Sequence, residues 1–368
     1  MANERDRQLD AAVAAVRAAA AMCARAQGRL VGGDTLTKGD DSPVTVADFA
    51  AQAVVSALLT EQLGAVDLVG EEDATDLADD RQATLRAGVV DLVNGQLDRD
   101  ADEATVLDWI RIGSADGSSD RYWTLDPIDG TKGFLRGDQY AIALGLIEHG
   151  EVVLGVLGCP NLSNPDATRG AVFAAAGSGS VAYYGDAVEP VRVAVARPPS
   201  LADARMCESV ESGHSNHDDS AEIVNRLGIT AAPFRIDSQC KYAAVARGDA
   251  SIYLRLPTRA GYREKIWDHA AGKFVVEQAG GVVTDVTGAP LDFGHGRRLE
   301  RNRGIVATML FTAWTILSKN EVLPEMLSVP FDLYYTGIIG NVVMFIVVYL
   351  MATWFRPNRN IDDMTIWK

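Results

Sequence analysis

The sequence D-P-I-D-G-T at positions 126–131 places two carboxylates and a hydroxyl within six residues. A strand-like run leads into it, and we predict a tight turn, because Pro127 restricts one backbone angle and Gly130 tolerates an otherwise costly one. Such a turn aims both aspartates at one point, where their oxygens suit Mg²⁺. An ordinary surface turn contains the same residue types, so this stretch alone leaves both interpretations open.

Composition and charge limit the classes of partner. The chain has 368 residues, of which 48% are hydrophobic, so we expect a large packed core in two domains or in one domain with an appendage. The net charge of −16 argues against a nucleic-acid polymer as partner, since a phosphate backbone requires a basic face. Residues 235–265 carry seven Lys/Arg against three Asp/Glu, and this local balance of +4 suits either a small phosphate ester or a solvated surface.

The cysteines and the N-terminal segment indicate the compartment. Four cysteines lie far apart without a C-x-x-C pair, so we expect neither a zinc site nor a disulfide framework, and a reducing compartment is the default. The Ala-rich N-terminal segment predicts a helix that carries charged residues and lacks the apolar core of a signal peptide. We therefore expect a cytoplasmic protein.

Three further acidic residues lie beside predicted elements. Asp48 belongs to a T-x-x-D cap on a predicted second helix, Glu71 follows a predicted strand, and Asp268 opens a predicted helix in W-D-H-A-A-G. Helix capping and a solvated loop explain these acids as well as a metal site does. His269 is predicted to be a structural hydrogen-bonding residue, because an oxygen-rich site disfavours imidazole.

The order of these motifs resembles the lithium-sensitive, Mg²⁺-dependent phosphatase superfamily that includes inositol monophosphatase. The resemblance extends from about Asp41 to Thr308 and is closest to the 3′(2′),5′-bisphosphate nucleotidase branch. The stretches that carry it are D-P-I-D-G-T at 126–131, W-D-H-A-A-G at 267–272, S-P-V-T-V-A-D-F-A-A-Q at 42–52, G-F-L-R-G-D-Q-Y-A at 133–141, S-Q-C-K-Y at 238–242 and Y-L-R-L-P at 253–257.

The resemblance implies an α+β or α/β fold, a layered α-β-α-β-α sandwich. It places an N-terminal metal-binding domain at 1–170 and a C-terminal substrate-binding domain at 171–308. We expect a monomer. Alternation of apolar residues separately predicts paired strands over 140–157, with a hairpin turn at 148–151.

Carried over position by position, the resemblance implies a phosphatase site with two to three Mg²⁺ ions. Glu71, Asp126 and the Ile128 carbonyl would hold one ion. Asp126, Asp129 and Asp268 would hold the second, and Glu71 would support a weaker third. Two cations that share a carboxylate can activate a water and stabilise the leaving oxygen of an in-line displacement.

The resemblance also assigns catalytic and substrate-binding roles. Thr131 and Asp48 would hydrogen-bond to the nucleophilic water and help to take its proton, and Glu71 is the third implied catalytic residue. The implied substrate-binding residues are Gly130, Thr131, His214, Ser238, Lys241, Arg255 and Asp268.

The basic members of this set imply the substrate. Lys241 and Arg255 suit a second phosphate that is held but not cleaved, for which an inositol monophosphatase would have little need. The implied reaction removes the 3′-phosphate from adenosine 3′,5′-bisphosphate, or from its sulfated relative, to give AMP, or adenosine 5′-phosphosulfate, and phosphate. An inositol (poly)phosphate phosphatase and a membrane-tethered, inactive nucleotide-binding protein stay open as alternatives.

The resemblance ends after Thr308, and residues 309–368 form an atypical apolar tail. The segment 333–355 contains no charged residue and is predicted as a transmembrane helix that would contact a membrane, because about 20 apolar residues span a bilayer. A genuine anchor and a fusion or gene-model artefact that replaced the native last helix both explain the tail. A buried helix fits poorly, because 23 uncharged residues exceed an ordinary core helix.

Overall fold

The computed structural model describes residues 4–28, 35–37, 43–77, 79, 82–210, 217–257 and 261–309. His214 and the predicted transmembrane segment 333–355 lie outside the described residues. Within the described ranges, no helix combines the length and the hydropathy that a membrane span requires.

The described residues form nine α-helices and fourteen strands. The helices are α1 (Glu4–Gln27), α2 (Val46–Leu63), α3 (Ala74–Leu77), α4 (Ala83–Leu97), α5 (Glu103–Arg111), α6 (Thr131–Arg136), α7 (His217–Leu227), α8 (Cys240–Arg247) and α9 (Ala270–Gln278). The strands are β1 (Thr35–Thr37), β2 (Pro43–Thr45), β3 (Leu68–Gly70), β4 (Arg121–Asp129), β5 (Ala141–Glu148), β6 (Glu151–Ser163), β7 (Arg169–Ala175), β8 (Ser180–Tyr184), β9 (Val191–Val193), β10 (Met206–Glu208), β11 (Phe234–Arg235), β12 (Ile252–Arg255), β13 (Gly281–Thr284) and β14 (Ile305–Met309).

The larger sheet has seven strands in the order β3-β4-β5-β6-β7-β8-β9. β3 and β4 are parallel, and the other neighbours are antiparallel. Between β5 and β6 the chain turns at His149 and Gly150, whose φ angles of 52° and 79° suit the two-residue turn that matches strand twist. The hairpin turn predicted at 148–151 is confirmed.

Helices cover both faces of this sheet, so its central strands are apolar on both sides. Leu144 belongs to the hydrophobic cluster built with α1 and α2, whereas its neighbour Ala143 belongs to the cluster built with α8 and α9. The approach of α9 is close: a Cβ atom on Gly155 of β6 would lie 2.6 Å from the Ala271 carbonyl oxygen. Glycine at this position therefore permits the contact between helix and sheet.

The smaller sheet has five strands in the order β11-β10-β12-β14-β13. β10 is parallel to both of its neighbours, and β14 is antiparallel to both of its own. β14, in which the motif resemblance ends at Thr308, lies inside this sheet between β12 and β13. On the outer face, Met206 and Ile252 form a small core with Leu227 of α7.

These contacts arrange the molecule in five layers: α1 and α2, the seven-stranded sheet, α8 and α9, the five-stranded sheet, and α7. The predicted α-β-α-β-α sandwich is confirmed. The boundary predicted at 170/171 falls inside β7, and the sheet continues to Val193 at the end of β9. A domain boundary would thus follow Val193, and the division into two domains stays a prediction.

Candidate active site

The acidic motif lies where β4 meets α6. β4 continues through Asp129, and its pairing with β5 shifts in register between Asp126 and Asp129. The tight turn predicted at 126–131 is therefore wrong: the motif is the irregular end of a strand, at Pro127, which cannot donate a ladder hydrogen bond. Residues three apart on a regular strand face opposite sides, so the irregularity is what lets both aspartates line one pocket.

Gly130 and Thr131 connect this strand to α6. Gly130 has a φ of 91°, and a Cβ atom there would lie 2.9 Å from the Cβ of Ser238. Glycine therefore serves both the backbone angle and the close approach. The Thr131 hydroxyl donates a hydrogen bond to the Ile128 carbonyl oxygen at 3.3 Å. The predicted joint role of Thr131 and Asp48 in binding the nucleophilic water stays a prediction.

Gln52 of α2 holds the loop that carries Glu71. Its amide nitrogen donates to the carbonyl oxygens of Glu72 at 2.7 Å and Ile110 at 3.0 Å, and its amide oxygen accepts from the Glu72 N–H at 3.1 Å. The Glu71 N–H donates to the Leu125 carbonyl oxygen at 3.1 Å, which fixes the loop beside the acidic motif. No role was predicted for Gln52, although it lies in the stretch S-P-V-T-V-A-D-F-A-A-Q at 42–52.

Gln239 connects the acidic motif to the Asp268 loop. Its backbone N–H donates to the Asp129 carboxylate, and its side chain donates to the Trp267 carbonyl oxygen at 2.9 Å and accepts from the Gly272 N–H at 3.2 Å. Asp268 itself lies two residues before α9 begins. Gln239 was not predicted either, and its one signal is an amide directly before a largely buried helix.

His269 has a structural role, in agreement with the prediction. Its buried ring lies 2.9 Å from the Tyr242 hydroxyl and 3.3 Å from the Glu264 carboxylate. Glu264, Asp268 and His269 offer ligand atoms within 4.8 Å of one another. However, the Arg255 guanidinium already lies 2.9 Å from Glu264 and 3.7 Å from Asp268, so a cation is present beside this group.

Fewer basic residues of 235–265 line the site than the charge count of that stretch suggested. Among the described basic residues of that stretch, Lys241 and Arg255 line the pocket. The buried Lys241 ammonium donates to the Ser209 hydroxyl at 3.2 Å and lies 5.4 Å from the centre of the Tyr253 ring. From this stretch two cations, rather than a broad patch, therefore face the acids, and Lys132 of α6 is a third basic residue that lines the pocket.

These residues surround a pocket of about 260 Å³. Sequence-predicted residues that line it are Glu71, Asp126, Ile128, Asp129, Gly130, Thr131, Ser238, Lys241, Arg255 and Asp268. Lining residues that were not predicted are Lys132, Gly133, Ser209, Asp237, Gln239, Tyr253 and Tyr262. Asp48 is not one of the lining residues.

Asp126 is buried among the other acids of the site. Burial raises the pKa of its carboxyl well above the usual range, and the neighbouring Glu71, Asp129, Asp268 and Asp48 raise it further. Asp48 is itself buried in the first turn of α2, as predicted, and its charge reaches Asp126. The buried Oδ1 oxygen of Asp126 accepts no hydrogen bond from the described residues.

Asp129 and Asp268 share this environment. Burial raises the pKa of Asp129 although Lys241 and Arg255 oppose the change, and burial raises the pKa of Asp268 well above its usual range against the effect of Arg255. Protonation or a bound cation would relieve these clustered buried carboxylates, one of which has an unsatisfied oxygen. A donor set made of carboxylate and carbonyl oxygens fits a hard ion such as Mg²⁺.

Known proteins are similar to this chain over most of its length. The Inositol monophosphatase family matches residues 4–318. The 3′(2′),5′-bisphosphate nucleotidase of Schizosaccharomyces pombe is 42% identical, with 83% of this chain and 92% of the relative covered. The 3′(2′),5′-bisphosphate nucleotidase 1 of Arabidopsis thaliana is 46% identical, with 75% of this chain and 84% of the relative covered.

Solved structures share the fold. The extragenic suppressor protein SuhB of Bartonella henselae gives a TM-score of 0.58 at 21% identity, with 86% of this chain and 98% of the other covered. The IMPase of Thermotoga maritima gives 0.56 at 21% identity, with 87% and 99% covered.

The family match is wider than the motifs indicated. It begins at residue 4, in α1, rather than near Asp41, and it continues to residue 318, beyond Thr308. It therefore includes every described layer of the sandwich and every residue of the pocket. This chain belongs to the inositol monophosphatase family.

Proposed function

We propose that this chain is a 3′(2′),5′-bisphosphate nucleotidase, which hydrolyses the 3′-phosphate of adenosine 3′,5′-bisphosphate to give AMP and phosphate. The sulfated relative of that nucleotide would give adenosine 5′-phosphosulfate. The observation that carries the proposal is a single pocket in which a wall of carboxylates faces the cations Lys241 and Arg255. Relatives that bear this name are 41–46% identical over most of the chain.

The acidic wall is proposed to hold two to three Mg²⁺ ions. Glu71, Asp126 and the Ile128 carbonyl oxygen are the ligands of one ion, and Asp126, Asp129 and Asp268 are the ligands of the second. A third ion depends on Glu71. When bound, such ions lower the pKa of a coordinated water and stabilise the charge on the leaving oxygen.

Thr131 and Asp48 are proposed to orient the attacking water and to accept its proton. A hydroxyl has one proton to donate, so the Ile128 carbonyl and Asp48 are alternative acceptors for Thr131. If the Ile128 carbonyl is engaged as a ligand, the Thr131 hydroxyl can donate to Asp48 and accept from the water. Burial of Asp48 keeps its carboxylate out of competition with solvent.

The opposite wall is proposed to hold the phosphate that is not cleaved. The Lys241 ammonium has three donors, of which one contacts Ser209, and the Arg255 guanidinium has donors beyond its contact with Glu264. Ser238, Gly130 and the implied His214 would complete this subsite. Both cations are positioned by protein contacts before substrate arrives, so little side-chain entropy is lost on binding.

The test compares kcat/KM in Mg²⁺ for adenosine 3′,5′-bisphosphate and inositol 1-phosphate. We expect the nucleotide to be preferred by about tenfold or more, since the second phosphate gains charge-assisted hydrogen bonds. Lithium should inhibit, as the family resemblance implies. Asp126→Asn should abolish turnover while the circular dichroism spectrum is unchanged. Equal or greater activity on inositol 1-phosphate would assign the chain to the inositol phosphatases instead.

Two further proposals concern the state of the protein. We propose a monomer in the cytoplasm, and size-exclusion chromatography with cell fractionation tests both points. The alternative of a membrane-tethered, inactive protein depends on 333–355, which lie outside the described residues. The complete acidic wall argues against an inactive pocket.

A further inference from the structure

Arg297 lies on a segment that pairs with the residues directly before Asp268. The Ile266 N–H donates to the Arg297 carbonyl oxygen at 3.3 Å, and the Leu299 N–H donates to the Glu264 carbonyl oxygen at 2.9 Å. The backbone of Arg297 is thereby registered against the loop that carries Asp268.

The side chain of Arg297 reaches the opposite loop of the site. Its guanidinium donates to the Gly70 carbonyl oxygen at 2.6 Å and to the Ala115 carbonyl oxygen at 3.0 Å. Gly70 directly precedes Glu71. The same guanidinium lies 4.8 Å from the centre of the Trp267 ring, and Trp267 directly precedes Asp268. One side chain therefore contacts the neighbours of two acids that lie on different loops, Glu71 after β3 and Asp268 before α9.

We propose that Arg297 is a positioning residue that fixes the Glu71 loop against the Asp268 loop and so sets the affinity of the acidic wall for divalent cations. The inference rests on the proposed metal-binding role of Glu71 and Asp268. Gln239 connects Asp129 to the Asp268 loop, whereas Arg297 connects Glu71 to that loop.

The chemistry of the side chain explains why arginine is required. Its planar fork donates in two directions at once while its face stacks on an aromatic ring. A lysine would retain the charge near Glu71 but would lose the fork and the stacking. Arg297→Lys therefore separates positioning from simple charge compensation.

The experiment titrates the full-length, metal-free protein with Mn²⁺, which electron paramagnetic resonance detects directly. We expect Arg297→Lys to weaken Mn²⁺ binding by about tenfold or more, the usual effect of losing a group that orients metal ligands. The KM for adenosine 3′,5′-bisphosphate at saturating metal should stay unchanged within error. The matched control is Arg298→Lys, at the exposed neighbouring position, which should bind Mn²⁺ as the wild type does. Wild-type affinity in Arg297→Lys, or equal weakening in the control, would overturn the inference.

A double-mutant cycle with Glu71→Gln separates positioning from general destabilisation. If Arg297 acts through Glu71, the effects of the two substitutions on Mn²⁺ affinity are less than additive, and strictly additive effects contradict the proposal. Should Arg297→Lys fail to fold, Arg297→Gln retains a planar donor and takes its place, with the same expectation. A wild-type chain that binds Mn²⁺ but leaves the nucleotide intact would refute the proposed function alone, because the titration judges Arg297 without turnover.

Discussion

Gly130 and Gly137, at the two ends of α6, show how much one Cβ atom matters near the pocket. Both residues have a positive φ, 91° and 77° respectively. A Cβ atom on Gly130 would collide with Ser238, whereas a Cβ atom on Gly137 has no neighbour within 4 Å among the described residues. We expect Gly137→Ala to cost about 1 kcal/mol of unfolding free energy, from the backbone angle alone. Gly130→Ala should cost about 2 kcal/mol or more, because a collision is added to the backbone strain.

The variants Gly130→Ala and Gly137→Ala also distinguish an effect on stability from an effect on substrate binding. Since Ser238 lies on the proposed substrate wall, Gly130→Ala should raise the KM for adenosine 3′,5′-bisphosphate, and Gly137→Ala should not. Urea denaturation and initial rates measure the two effects. If both variants raise KM equally, the contact between Gly130 and Ser238 does not shape the substrate subsite.

Gln52 and Ser56 lie one turn apart on α2 and differ in whether they connect this helix to its neighbours. Gln52 makes three hydrogen bonds to the Glu71 loop and α5, whereas the buried Ser56 hydroxyl has no partner among the described residues. Gln52→Leu should therefore cost about 3 kcal/mol or more, because buried backbone groups lose their partners. Ser56→Ala should change stability by less than about 0.5 kcal/mol or increase it, since an unpaired hydroxyl is removed.

These two variants should also differ in metal binding. Gln52→Leu loosens the loop that carries Glu71, so calorimetry should show weaker Mg²⁺ binding, while Ser56→Ala should bind Mg²⁺ as the wild type does. Urea denaturation in EDTA gives the stabilities. Equal Mg²⁺ affinity in both variants would mean that the loop keeps its position without Gln52.

Elements with strong local signals could be predicted from the sequence, and others could not. The position of Asp48 in the first turn of a helix and the hairpin at 148–151 depend on adjacent residues, and both predictions are confirmed. The segment 126–131 was misread because Pro and Gly favour a turn locally, whereas pairing with β5 continues the strand. α5 was not predicted, although Asp102 caps it by accepting a hydrogen bond from the Thr105 N–H at 2.9 Å.

The residues of the site could also be predicted only where the sequence carries a local signal. The acids could be assigned because a resemblance to known motifs supplied their shared role, and ten of the assigned residues line one pocket. Gln239 and Arg297 escaped prediction because their partners lie far away in sequence: Arg297 and Gly70 are 227 residues apart. The charge count predicted a basic stretch at 235–265 but not which of its side chains face the pocket. Arg247, for example, pairs with Asp249 outside the pocket.

For the whole molecule, the described layers and the pocket lie within residues 4–309, and the family match ends at residue 318. We therefore expect a chain of residues 1–318 to keep the kcat of the full chain. If 333–355 is apolar enough to enter a bilayer, only the full chain should sediment with membranes. An insoluble or inactive 1–318 chain would mean that residues 319–368 contribute to the fold.

The raised pKa of Asp126 connects the site to the stability of the entire fold. In metal-free protein, burial and the neighbouring acids raise this pKa well above the ordinary value of 3.8. A carboxyl whose pKa is raised by folding contributes stability that is fully present below pH 3.8 and is lost as the pH rises through the folded value. Other buried groups, such as Glu264 and His269, also titrate, but they are common to the wild type and to Asp126→Asn.

The difference in unfolding free energy between the wild type and Asp126→Asn therefore reports the ionisation of Asp126. In EDTA, the free energies of unfolding should nearly coincide at pH 4, where the folded wild type carries a neutral carboxyl. The variant should become the more stable protein by pH 8, by about 1 kcal/mol or more, because an amide cannot ionise. Excess Mg²⁺ at pH 8 should reverse this order, since a ligand that binds the folded wild type more tightly stabilises it by mass action. Urea denaturation at both pH values measures the effect. A difference in unfolding free energy that does not change with pH would show that the acidic neighbours do not repel Asp126. A difference that Mg²⁺ does not reverse would show that no cation relieves Asp126.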